Sequence, residues 1–158
     1  MKNKLLILSV LMVLLGSCKK SDDAGSLKQQ VNYSYGNFNV ANAIATAELN
    51  GRYLSITLGP PSATKEQGGV NIQLHNYTGP GEYQFSEEVI VVADQTGQEA
   101  YWENFYYQNS SRIFQGKVTI KKLDDQYLEA AVQGKLFHYA STGELTDTEL
   151  KASILSYR

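Results

Sequence analysis

The chain has 158 residues, with 14 lysines and arginines against 16 aspartates and glutamates, a hydrophobic share of 42% and 1 cysteine. A formal net charge of −2 with no dense basic run excludes the electrostatic footprint of a nucleic-acid binder, and offers nothing to an anionic membrane surface. One cysteine excludes a disulfide framework within the chain, so the fold must rest on its core.

The first segment reads as a processing signal. Lys2 and Lys4 supply positive charge, and residues 5–15 are almost unbroken apolar sequence. That run is about half of the roughly 20 residues that a membrane-spanning helix needs. It ends in Leu15-Gly16-Ser17-Cys18, which resembles the lipobox of bacterial lipoproteins. The resemblance implies a Cys18 thiol alkylated with diacylglycerol, removal of residues 1–17, and acylation of the new amino terminus, with palmitate. More than one acyl chain is what makes such anchoring stable. The plainer alternative is an ordinary secreted protein, but its A-x-A-like cleavage site has no role for a cysteine.

Two of the 14 basic residues fall in the leader and no acid does, so the mature chain carries 12 basic against 16 acidic residues. Removing 17 of the 158 residues leaves 141, enough for one domain with a sizeable core. Residues 18–26 then form the lipidated cysteine and a polar tether, and 27–158 a single domain. Lys19-Lys20-Ser21-Asp22-Asp23 resembles the export tag of surface-exposed lipoproteins in Bacteroidota-type bacteria; a solvated acidic linker has the same composition.

From Val31 onward the hydrophobic period is two. Leu54, Ile56 and Leu58 alternate with polar residues, as do Val70, Ile72 and Leu74. Val118 and Ile120 oppose Lys117, Thr119 and Lys121; Leu128, Ala130, Val132 and Leu136 follow, then Leu150, Ala152 and Ile154 in a closing strand. Such alternation predicts strands with one buried and one wet face. Asn50-Gly51 predicts a type I′ hairpin. Turns are also expected at residues 78–81, 95–97, 123–125 and 141–143, with a longer loop from Gly59-Pro60-Pro61 to about Gln67. Near Gly36 the alternation slips between Tyr35 and Phe38, which predicts a bulge. The fold class expected is all-β: an antiparallel β-sandwich or small β-barrel of about 8–10 strands.

The lipobox, NFNVANAIATAELNGRYLSITLG, GVNIQLHNYTGPGEYQF and GKVTIKKLDDQYLEAAVQGKLF together resemble the small lipoproteins of unknown function common in Bacteroidota-type bacteria. Their usual G-T-F strand is replaced here by Ala130-Ala131-Val132. The resemblance implies the fold and an envelope location, and it brings no catalytic motif.

Candidate chemistry is sparse. His75 and His138 are far apart and each lies in a strand pattern, whereas a zinc site needs three or four ligands. Adjacent acids at Asp22-Asp23, Glu87-Glu88 and Asp124-Asp125 point to opposite faces of a strand, or serve turns. Asp94-Gln95-Thr96-Gly97 breaks the aspartic-protease D-T-G and lacks the EF-hand spacing, although Asp94 and Glu99 could share a loop calcium. The sequons at Asn32, Asn76 and Asn109 are short enough to recur by chance. No metal ligand set and no cofactor is expected.

The feature that invites a function is the run Tyr101-Trp102-Glu103-Asn104-Phe105-Tyr106-Tyr107. If it is extended, Trp102, Asn104 and Tyr106 share a face that could stack on sugars or peptides. Burial of both faces in a covered strand is the alternative. The expected role is a non-enzymatic, lipid-anchored envelope protein of the outer membrane, periplasmic or surface-exposed, binding a glycan or protein. The alternatives are a glycan-acting hydrolase with carboxylates not yet paired, and a purely structural or inhibitory envelope protein.

Overall fold

The computed structural model describes residues 29–61, 68–94, 101–103, 114–139 and 142–157; for 94, 101–103 and 139 it describes the backbone alone. The period-two segments form strands, and no helix occurs among the described residues. In chain order the strands are β1 (Gln30–Tyr35), β2 (Phe38–Val40), β3 (Ile44–Asn50), β4 (Tyr53–Gly59), β5 (Val70–Leu74), β6 (Gly81–Gln84), β7 (Val89–Asp94), β8 (Tyr101–Glu103), β9 (Gln115–Leu123), β10 (Tyr127–Tyr139) and β11 (Leu145–Tyr157). The count exceeds the sequence expectation because β2, β6 and β8 span only three or four residues, too few for a period to show.

All pairings are antiparallel. One path runs β2-β1-β11-β10-β8-β7-β5-β4-β3, and β9 and β6 branch from β10. The branch arises because one edge of β10 serves two partners: residues 128–135 pair with β9, whereas Phe137 pairs with Glu103 of β8. The sheet therefore forks into two layers that pack face to face as a sandwich, without closing into a barrel. The first layer is β2-β1-β11-β10-β9-β6 and the second is β8-β7-β5-β4-β3.

Two glycines make the fork. Gly116 of β9 and Gly134 of β10 are register partners, and the Phe85 ring lies over both. A Cβ at either position would collide with Phe85, and at Gly134 it would also meet Gln115 O at 2.6 Å and Gly116 Cα at 2.7 Å. Gly134 holds a core-facing place in the alternation of β10, so Phe85 fills space that a side chain would otherwise take. Phe85 N–H also donates to Gly116 O at 2.9 Å. The chain then turns through Glu87-Glu88, Ser86 and Val89 exchanging backbone bonds of 3.4 and 3.3 Å, and enters the second layer as β7.

The core lies between the layers. Leu54, Ile56, Leu58, Val70, Ile72, Leu74 and Val91 on one side meet Val31, Tyr35, Val118, Leu128, Val132, Leu136, Leu150 and Ile154 on the other. Along the open side, single bonds tie the layers together. Tyr33 Oη donates to Gly68 O at 2.6 Å, Ala43 N–H to Val31 O at 2.7 Å, and buried Ser156 Oγ to Ala45 O at 3.3 Å. These are isolated bonds and no ladder joins β3 to β1, which is why the barrel stays open.

Two turn expectations are corrected. The phase slip at Gly36 is no bulge: Tyr35 pairs with Phe38, so Gly36-Asn37 is a two-residue hairpin loop with Gly36 at φ 55°. A reversal of direction shifts the apparent phase as a bulge does. The second hairpin is displaced by one residue, because Asn50 pairs with Tyr53 and the loop is Gly51-Arg52. Only Gly51, at φ 60°, is left-handed there, which excludes type I′, whose two central residues both need positive φ.

Gly134→Ala should cost about 1–3 kcal/mol through overpacking. In a Phe85→Leu background the same change should cost less, and thermal melts of the four chains read that coupling directly. Burial pushes the Tyr33 phenol from 10.0 up to about 12. The folded state then holds a proton that the unfolded state releases, so this contribution is complete below pH 10 and is lost as pH rises towards 12. Tyr33→Phe should flatten that alkaline fall in denaturant titrations at stepped pH.

Candidate functional site

The residues that alternate with the core form the outer face of the first layer, and the register arranges them in rows. Asn32 lies opposite Ser153, Ser153 opposite Ala131, and Ala131 opposite Thr119. The next row is Ser34, Lys151, Gln133 and Lys117. Three adjacent strands thus carry side chains as short as Asn32, Ser153 and Ala131, and β2 adds Asn39, with Ala41 just beyond it. Side chains this short leave an open trough of about 510 Å³, with Gln133 and Lys151 on its lining. Its wall at Asn32 is fixed, because Asn32 Oδ1 accepts from Asn42 N–H at 3.2 Å. Asn42 itself takes a φ of 54°, a conformation that asparagine tolerates, where the chain leaves β2 for the second layer.

A β-bulge shapes the far end of this face. Glu129 pairs with Lys122 but Ala130 pairs with Ile120, so Lys121 is the extra residue. Strict alternation would send one of two consecutive lysines into the core; the bulge leaves both on the surface. Lys121 Nζ meets Glu129 Oε1 at 2.8 Å, and Lys122 Nζ meets Asp124 Oδ2 at 3.0 Å. Lys122 Nζ also stands 4.8 Å above the centre of the Tyr127 ring. Tyr127 meets Tyr157 edge to face, with centroids 5.3 Å apart and planes at 66°. These groups enclose a second cavity of about 370 Å³, lined by Lys122, Asp124, Gln126, Tyr127, Glu129 and Tyr157.

The electrostatics of the face are neutral. Lys117–Glu82 at 2.6 Å, Lys135–Asp147 at 3.1 Å and Lys151–Glu149 at 2.8 Å join the two pairs at the bulge. Each lysine stands beside its own carboxylate. Glu129 holds the Lys121 ammonium above its ordinary value, by hydrogen bond and by charge. The Gln126 N–H, 2.9 Å from Asp124 Oδ1, and then Lys122 hold the Asp124 carboxyl below the usual carboxylate range. Asp124-Asp125 is thus turn chemistry: Asp124 N–H also donates to Tyr127 O at 3.0 Å. Burial, and next the neighbouring Tyr127, push the Tyr157 phenol up.

Of the sequence-derived candidates, Cys18, Asn104 and Tyr106 lie outside the described residues. Trp102 lies in β8, its backbone opposite Ala93 of β7. His75 is exposed and rests edge-on against Tyr53, with centroids 5.2 Å apart. His138 is half-buried on β10, and its carbonyl accepts from Thr146 Oγ1 at 3.1 Å. Among the described residues no three His, Cys, Asp or Glu side chains gather as metal ligands. Sequence reasoning missed the trough and the tyrosine pair. The available signal was the shortness of Ala131 and Ser153 on the wet face, but which strands lie side by side was not legible.

No protein-family model, no curated protein and no solved structure matches this chain.

Asp124→Asn should speed amide exchange at Gln126 near neutral pH. The carboxylate's contribution is present above the ordinary carboxylate value and is lost as pH falls through its lowered one, so the variant should lack that acid-linked loss.

Proposed function

We propose that the chain is a lipid-anchored, non-catalytic protein of the cell envelope that binds an extracytoplasmic glycan or protein on the outer face of its first layer. The carrying observation is the trough of about 510 Å³, floored by short side chains and held on a four-stranded surface. Amides of Asn32, Asn39 and Gln133 and hydroxyls of Ser34 and Ser153 line it, and none of its described lining residues is a carboxylate. Such a surface binds and orients; it holds no acid–base pair for glycoside hydrolysis. Residues of this chemistry on adjacent strands suit a polar polymer lying along or across them.

The anchor rests on the resemblance of Leu15-Gly16-Ser17-Cys18 to a lipobox. An outer-membrane location, periplasmic or outward-facing, goes with it. The aromatic run with Trp102, Asn104 and Tyr106 belongs to the same proposal as a second contact surface.

The full chain, expressed with its leader in a Gram-negative host, should fractionate with membranes and incorporate labelled palmitate. Cys18→Ser should do neither, and unchanged palmitate labelling of that variant defeats the anchor. For binding, native electrophoresis through gels cast with polysaccharides should retard the detergent-extracted protein. Ser153→Trp, which fills the trough from the solvent side, should restore free migration. Emission of Trp102, the only tryptophan, should be quenched by acrylamide and should shift with the same polysaccharide. A blue, unquenched and unresponsive Trp102 removes the aromatic run from the proposal and leaves the trough standing.

A further inference from the structure

The tyrosine cavity at the bulge has two properties that the trough lacks and a third that both share. Its hydroxyl at Tyr157 Oη is buried and has no hydrogen-bond partner among the described residues, although the residue is part-exposed. Buried polar groups are ordinarily bonded, and an exception calls for a cause. Its aromatic surface is doubled, by Tyr127 and Tyr157 edge to face. Its charges are spent internally: Lys122 on Asp124, and Lys121 on Glu129. An ionic ligand would have to break one of those pairs to gain another.

These properties select a ligand class. Beyond the face of Tyr127 that Lys122 covers, the two phenol rings offer a stacking surface, Gln126 and Tyr157 offer neutral hydrogen bonds, and the two ion pairs cancel. An uncharged sugar ring has the matching parts, apolar C–H faces and hydroxyls at its edge. The cavity is also continuous with the trough in register. Tyr127, Glu129, Ala131 and Gln133 follow one another on the outer side of β10, and Tyr157, Leu155, Ser153 and Lys151 do so on β11. At about 3.3 Å per residue, Tyr127 stands roughly 13 Å from the trough floor at Ala131. One chain of a few sugar units would touch both.

The geometry points to a neutral-saccharide subsite at Tyr127 and Tyr157, at which a sugar ring stacks on the phenols, a sugar hydroxyl bonds Tyr157 Oη once that part-exposed side chain swings towards the cavity, and the glycan continues along β10 and β11 into the trough. This assignment rests on the outer-face binding proposed above and adds the ligand's chemistry and direction. The bulge at Lys121 is the local device that makes the subsite, because it turns Lys122 outward over Tyr127.

The test uses the full lipidated chain in detergent and three probes: laminarin and pullulan as neutral glucans, and alginate as an acidic polymer. At least one neutral glucan should retard the protein, and alginate should not. Tyr127→Ala should weaken that binding roughly tenfold or more, as loss of an aromatic anchor does. Tyr157→Phe should weaken it roughly two- to tenfold, the value of one hydrogen bond. Its melting temperature should not fall, because the hydroxyl removed has no partner among the described residues; that variant keeps the test valid if Tyr127→Ala folds poorly. Saturation of tyrosine ring protons should transfer to the glucan in the unmodified protein.

Binding that Ser153→Trp abolishes but Tyr127→Ala and Tyr157→Phe leave unchanged overturns the subsite while the trough survives. Preference for alginate overturns the neutral class. Retention by neither glucan, with stoichiometric capture of a protein partner that Ser153→Trp releases, overturns the glycan and keeps the outer face as a protein-binding surface.

Discussion

The contact on which the architecture turns is the Phe85 ring laid over the Gly116–Gly134 pair. A strand edge has one row of hydrogen-bonding groups, and β10 must divide its row between β9 and β8. At that division a side chain on either strand would hold the backbones apart from whatever fills the core. Glycine on both strands lets an aromatic ring take the place, and the ring belongs to the segment that carries the chain from the first layer to the second. One contact thus sets the fork, the packing beneath it and the crossing of β6 into β7.

The rest of the sandwich follows from ordinary burial. Val, Ile and Leu at alternate positions on β4, β5, β7, β10 and β11 meet across the interior, while Ala45 and Ala47 at the β3 edge admit the approach of β11. Tyr33 and Ser156 place single hydroxyls where the layers come together at the open side. Each donates to a carbonyl of a buried residue across the layers.

The outer face of the first layer is organised by charge cancellation more than by charge. Five ion pairs on exposed lysines add little to stability in water. Under the binding proposed for this face their effect would fall on recognition, since paired charges gather ions and acidic polymers less than unpaired ones do. The bulge at Lys121 contributes to this arrangement. It resolves the conflict posed by two consecutive lysines in a buried strand, and it does so by building the wall of a cavity.

Fold class was legible residue by residue. Leu54-Ile56-Leu58 and Leu150-Ala152-Ile154 announce strands because a pleated chain buries every second side chain, whatever it packs against. The hairpins were legible in place but not in register: Gly36 and Gly51 mark reversals, yet the loop residues depend on which backbone pairs close. The closing strand and the Asp124 turn were also read from local chemistry. The trough and the tyrosine pair were not, since Asn32, Ala131 and Ser153 stand on three strands far apart in sequence, and Tyr127 meets Tyr157 only through the β10–β11 register. By itself the sequence determined the apolar run that ends at Cys18, the neutral-to-acidic charge and the alternation that makes strands, because these are local properties. Tertiary structure alone decided sandwich over barrel, the fork at Gly116 and Gly134, and the outer face with its two cavities, because each depends on which strand edges meet.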